Sequence, residues 1–151
     1  MVSRRMILGA GIGGLALVSA GGYWRVSRVP TAAYQPWALD ETAPEDIRLD
    51  AFRHAILAPN PHNRQPWLIK LIGDDEAEIS CDLEKRLPAT DPFDRQITIG
   101  FGTFLEIARI AAAQRGFVIE TELFPDGEAQ PRLNDSPVAR LKFIKSDAVE
   151  T

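Results

Sequence analysis

The sequence predicts an α+β fold in which a central buried helix packs on an antiparallel sheet. Three observations carry that expectation: a strand–turn–strand pattern over residues 67–83, a long apolar segment from Gln96 to Arg115, and two more strand patterns after Gly116. With 151 residues, 45% apolar and 25% charged, the chain can bury one ordinary core. The order helix, hairpin, helix, strands is that of a layered domain.

Each element has its own signal. Thr42-Ala43-Pro44-Glu45 has capping-box spacing, and Leu49, Phe52 and Ile56 recur at helical spacing, which predicts a helix over 44–57. Pro59 and Pro61 end it, because neither can extend the hydrogen-bond ladder. Residues 67–72 form a strand candidate, Gly73-Asp74-Asp75 the turn, and residues 77–83 the returning partner. Residues 88–94 read as a loop. In the segment 96–115, Ile97, Phe101, Phe104, Leu105, Ala108, Ala111 and Ala112 cover most of the helix circumference, as in a helix buried all round. Gly116 suits the position after its C-terminus. Residues 117–124 and 138–144 then read as strands on either side of a Pro125-Asp126-Gly127 turn.

The first residues read as an address. Arg4-Arg5 stands directly before an apolar run from Met6 to Ala20, the charged-then-apolar order of an export signal. The paired arginines and the moderately apolar, Gly-rich run resemble a twin-arginine signal over residues 1–20 and imply a periplasmic protein. Val18-Ser19-Ala20 offers the small residues of a cleavage site; an uncleaved membrane anchor over residues 6–24 is the alternative. Gly9-Ala10-Gly11-Ile12-Gly13-Gly14 fits the dinucleotide pattern G-x-G-x-x-G, but too little chain precedes it for a buried strand. The first acidic residue is Asp40, beyond the place of a ribose-binding acid, so these glycines read as part of the signal. Residues 21–41, with Pro30 and Pro36, read as a linker, and 42–151 as the domain.

Composition excludes several chemistries. The net charge of −4 gives no overall basic field for nucleic acid. One cysteine, Cys81, permits no internal disulfide, and two histidines without ligand spacing give no zinc motif. Cys81 lies in a strand pattern, a poor setting for a nucleophile.

The segment Ala58-Pro59-Asn60-Pro61-His62-Asn63-Arg64-Gln65-Pro66-Trp67 is where chemistry is expected. It joins a helix end to a strand, and its prolines lower the cost of ordering polar side chains. Asn63 and Gln65 carry amides that donate and accept, which suits the rim of a flat heterocycle; the plainer alternative is a Pro-rich turn. Trp67 packs beneath the site or simply begins the strand.

His-Asn-x-Gln-Pro-Trp after a helix and a Pro-x-Pro resembles the flavin loop of the nitroreductase superfamily, most closely that of Acg-like FMN-binding oxidoreductases. Leu87 to Arg95 and Ala111 to Phe117 resemble that branch in order and spacing, so the resemblance covers about residues 44–145. It implies a nitroreductase-like fold and FMN as cofactor. Asn63 and Gln65 fall on the flavin-facing amides, and His62 on the branch's histidine. Asn60 stands where serine is usual. Arg64 stands where threonine is usual, its added cation meeting a phosphate or reduced flavin or pointing to solvent. Arg53 falls on a basic position and is a candidate phosphate contact. Arg95 falls on another, with Asp91 or Asp94 as possible ion-pair partners.

Acg-like chains are about twice as long and supply a second, arginine-rich half, so the resemblance implies an incomplete N-terminal half. The implied function is an FMN-dependent oxidoreductase passing electrons from a nicotinamide to a small acceptor, with no catalytic protein residue. A flavin-sequestering protein without turnover and an inactive fragment are the alternatives.

Overall fold

The computed structural model describes residues 4–34 and 43–146. The chain divides into two compact units, Met1–Ala38 and Leu39–Thr151.

In the first unit, helix α1 (Arg4–Ser27) is followed by the single turn α2 (Thr31–Tyr34). The Gly9–Gly14 run lies inside α1, so it forms no strand-to-helix phosphate turn. Residues 21–27 of the expected linker continue α1, and residues 35–42, including Thr42, lie outside the described residues. Leu15, Leu17 and Val18 are exposed. The Arg28 guanidinium sits 3.6 Å from the centroid of the Trp24 ring. Among the described residues no helix is long and apolar enough to cross a membrane.

The second unit is α+β. Helix α3 spans Ile47–Ala55, shorter than the helix expected over 44–57. Its cap is Asp46, which has extended backbone angles and accepts from the Arg48 backbone N at 2.9 Å. The Arg48 guanidinium also grips the Asp46 carboxylate, with Nη2 to Oδ2 at 2.7 Å. That bond holds the Asp46 carboxyl below the usual carboxylate range. Pro44 and Glu45 therefore precede the helix. Arg48, itself buried, sends Nη1 on to the carbonyls of Ile72, Gly73 and Glu76, which ties the start of α3 to a hairpin turn.

That hairpin is β1 (Trp67–Ile72) and β2 (Glu76–Cys81), paired in register from Trp67↔Cys81 to Ile72↔Glu76. Gly73 supplies the positive φ, +50°, that the turn requires. Helix α4 (Arg95–Gln114) leads through Gly116, at φ +75°, into β3 (Phe117–Leu123), and β4 is Ala139–Lys145. The sheet is antiparallel throughout, in the order β1-β2-β4-β3.

The sheet's two faces differ as expected when helices cover one side only. Trp67, Ala77, Ile79, Cys81, Ile119, Leu141 and Phe143 point into the core. On the other face Lys70, Glu78, Arg140 and Glu122 lie side by side across four strands, with Arg140 Nη2 2.8 Å from Glu78 Oε1. Lys142 and Glu76 form a parallel rung.

Helix α4 corrects one expectation. Its apolar residues do cover most of the circumference, yet only the stripe Ile97, Gly100, Phe101, Phe104, Ala108 and Ala112 is buried, against α3 and the sheet. Ile99 and Ile110, on the opposite side, are 68% and 48% exposed. The helix starts on Asp91, whose carboxylate accepts from the backbone N atoms of Arg95, Gln96 and Ile97 at 2.8, 2.9 and 3.1 Å. Asp94, next to the helix, is left-handed (φ +54°) and instead binds Arg86. The Arg95 side chain pairs with neither aspartate. Five aromatic rings join the layers: Phe104 stacks on Phe52 at 5.8 Å, Phe143 meets Phe52 edge-on at 5.8 Å, and Trp67 meets Phe101 and Phe104 at 5.4 and 4.9 Å.

Candidate functional site

The loop between α3 and β1 is built on backbone conformations that side chains resist. His62, Asn63 and Gln65 all have positive φ, at 52°, 51° and 52°. Asparagine tolerates this region, but each of the three costs about 1–3 kcal/mol that the surroundings must offset.

The offset comes from a relay of hydrogen bonds. Asn60 Oδ1 accepts from the Gln65 backbone N at 2.8 Å, and Asn60 Nδ2 donates to the Ala58 carbonyl at 3.1 Å. The Asn60 amide thus closes the loop across its base. Trp67 Nε1 donates to Gln65 Oε1 at 2.7 Å, and Gln65 Nε2 donates to Asn63 Oδ1 at 2.9 Å. The indole N–H can only donate, so the Gln65 atom facing it must be oxygen. Its nitrogen then faces Asn63, whose oxygen must point inward and whose Nδ2 is left pointing outward. One buried indole therefore sets the direction of two amides and turns a donor toward solvent.

Outer clamps hold the same loop. Arg64 donates from Nε to the Lys85 carbonyl and from Nη2 to the Glu84 carbonyl, both at 3.1 Å. Lys85 Nζ returns to the Gln65 carbonyl at 2.9 Å, and the Asp82 backbone N donates to the Pro66 carbonyl at 2.8 Å. Thr103 Oγ1, on α4, donates to the Pro59 carbonyl at 3.0 Å. Beside the loop a shallow hollow of about 330 Å³ is lined by Pro59, Asn60, Pro61, Gln96, Ile99, Gly100 and Thr103.

Five of the six residues singled out in the sequence are brought together: Asn60, His62, Asn63, Arg64 and Gln65 share this loop. His62, Asn63 and Arg64 are exposed, and Gln65 is half-buried. Asn60 works inside the loop, and Gln65 spends its oxygen and one N–H there. Trp67 begins the strand and donates its indole N–H to Gln65 of the loop. Arg53 lies elsewhere: its Nε donates to Asp50 at 2.7 Å, and it lines a hollow with Ile107 and Ile110, about two turns along α4 from the loop. Lys85 had no signal in the sequence, because only the return of the hairpin brings it to the loop.

Cys81 ends β2 and is buried. Burial first, then the charge of Asp94, pushes its thiol up to about 11, so it stays protonated at neutral pH and is a poor nucleophile.

No family model matches the chain. Over 88 residues, 58% of its length, the chain is 33% identical to a Mycobacterium tuberculosis protein provisionally named NAD(P)H nitroreductase acg, found alike in strains CDC 1551 / Oshkosh and ATCC 25618 / H37Rv. The match takes in 26% of those proteins, so the chain spans about a quarter of the length of the curated relatives it matches. The likeness is to a nitroreductase over part of the chain, and the antiparallel sheet with its helices is compatible with that fold.

Proposed function

We propose that the chain supplies the ring-binding part of an FMN-dependent, nitroreductase-like oxidoreductase of the Acg-like branch. The observation that carries this reading is the amide relay, which aims the Asn63 Nδ2 donor outward from a strained and heavily clamped loop. A flavin rim alternates acceptors and donors. Asn63 Nδ2, the second N–H of Gln65 Nε2 and the His62 ring are the groups here that fit it.

The flavin phosphate finds less. Arg53 is committed to Asp50, and Arg64 to two carbonyls. The cations for the phosphate come in this reading from a second nitroreductase-like half, in a longer chain or another subunit. When bound, FMN supplies the electron transfer to a small acceptor. This chain's residues hold and orient the ring. Titrating the full chain with FMN and with riboflavin, by flavin fluorescence quenching, tests the division. The two should bind within about threefold of each other, since the phosphate adds little here. Asn63→Ala, which removes the outward donor, should weaken both by about 1–3 kcal/mol. Absence of quenching by either flavin, or an Asn63→Ala chain that binds like the parent, would sink the reading.

Export by the twin-arginine route to the periplasm belongs to the same proposal, supported by Arg4-Arg5 before the apolar run. A folded cargo that acquires its flavin inside the cell suits that route. Replacing Arg4 and Arg5 with lysine should leave the chain in the cytoplasm on fractionation; unchanged export would refute the assignment.

A further inference from the structure

Nine arginines fall among the described residues of the second unit. Six face carboxylates: Arg48, Arg53, Arg86, Arg109, Arg115 and Arg140. Arg64 serves carbonyls. The remaining two, Arg95 and Arg132, have no partner among the described residues, and both line one open hollow of about 700 Å³. That volume is in the range of small-molecule sites.

The rest of the lining is selective. Phe93 and Ile99, 57% and 68% exposed, present apolar surface to the hollow. Phe124 joins them from a left-handed backbone, φ +49°, a rare conformation for a bulky residue. Its backbone is held in place by Phe124 N to the Val138 carbonyl at 2.9 Å and Gly127 N to the Phe124 carbonyl at 2.8 Å. Two guanidiniums without carboxylate partners, the exposed Phe93 ring and the half-buried Phe124 ring share one hollow, and these observations point to the same kind of occupant.

We propose that this hollow is a binding site for a planar aromatic monoanion, an aromatic carboxylate. Phe93 and Phe124 supply aromatic lining for a ring, and a guanidinium fork matches a carboxylate with two parallel hydrogen bonds. Glu128 also lines the hollow, so two cations and one anion leave a single positive charge to be met. A phosphate dianion would overshoot that balance and crowd Glu128. The hollow shares Ile99 with the smaller one beside the Pro59–Pro61 loop, so a bound ring lies next to that loop. The assignment holds whether or not the loop takes a flavin.

Equilibrium dialysis of the full chain against 2-naphthoate, 2-naphthamide and 2-naphthyl phosphate tests it. Naphthoate should bind at least about tenfold more tightly than the neutral amide, and Arg95→Gln and Arg132→Gln should each weaken naphthoate by about tenfold. Glu128→Gln should favour the phosphate relative to its standing in the parent chain. Arg95 and Arg132 are both exposed, so neither substitution threatens the fold, and an unchanged near-UV circular dichroism spectrum verifies this. Equal binding of naphthoate and naphthamide, arginine variants that bind like the parent, or no retention of any probe would overturn the site. Tighter binding of the phosphate than of naphthoate by the parent chain would overturn its assignment to a monoanion.

Discussion

Replacing Arg86 with methionine is expected to cost about 3–5 kcal/mol of folding stability, because it leaves a buried carboxylate without its cation. The Asp94 side chain is 2% exposed, and Arg86 reaches it with both prongs, Nε to Oδ1 at 3.1 Å and Nη2 to Oδ2 at 2.5 Å. Asp94 is held there by its left-handed backbone at the mouth of α4, so it cannot turn to water without disturbing the helix start. Urea unfolding checks the loss; a change under about 1 kcal/mol would mean that water reaches Asp94 freely. Adding Asp94→Asn to the variant removes the stranded charge and should recover part of the loss. The pH profile gives a second readout through Cys81. Its thiol lies at about 11 in the folded chain against an ordinary 9.0, raised by burial and by Asp94 and opposed by Arg86. A raised pKa contributes stability that is complete below the unfolded value. That contribution, on the order of 2 kcal/mol, is lost as pH climbs from 9 to 11. Without Arg86 the loss should extend to higher pH, and with Cys81→Ser it should vanish.

Phe104→Ala should cost a similar 3–5 kcal/mol, the transfer term for the ring plus the cavity left behind. Phe104 is fully buried, between Phe52 on α3 and Trp67 at the start of β1. The effect should not stop at stability. With its lower neighbour gone, the indole loses the support that keeps Nε1 on Gln65, and the direction of both loop amides is no longer fixed. Flavin affinity, corrected to the folded fraction, should therefore fall although Phe104 touches none of the loop's polar groups. Phe104→Leu, which refills most of the space, should recover both properties together. A large stability loss with unchanged corrected affinity would show that Phe104 does not support the loop through Trp67.

The elements legible in the sequence were those whose signals are local and uncontested. Strand β1 follows from a β-rich run between a proline and a Gly-Asp-Asp turn, and α4 lies within a residue of its expected ends because Gly116 closes it. Helix α3 starts later than expected where two caps compete. Thr42 and Glu45 have the right spacing, but Asp46 is followed two residues later by Arg48, which bonds it with both backbone and side chain. The apolar circumference of α4 could not say which stripe meets the core, since Ile99 and Ile110 differ from Ile97 only in where the helix is rotated. The loop was found from its residue types, yet its geometry was hidden. Three left-handed residues and a spent Gln65 amide depend on where Phe101 and Phe104 place an indole, and both come from beyond the hairpin. The commitment of Arg53 was more legible, since Asp50 stands one helical turn before it.

Trp67 also makes the loop optically visible. Of the two described tryptophans, Trp24 is 59% exposed, whereas Trp67 is buried with its N–H held by one amide oxygen. An indole relaxes after excitation by reorienting the dipoles around it, and here the nearest polar dipole is that amide, fixed in place. Its emission should stay short in wavelength while the relay is intact and move to the red once Gln65 lets go and water reaches the ring. The Trp67 share of the emission thus reports whether Gln65 still holds the indole, without any ligand present.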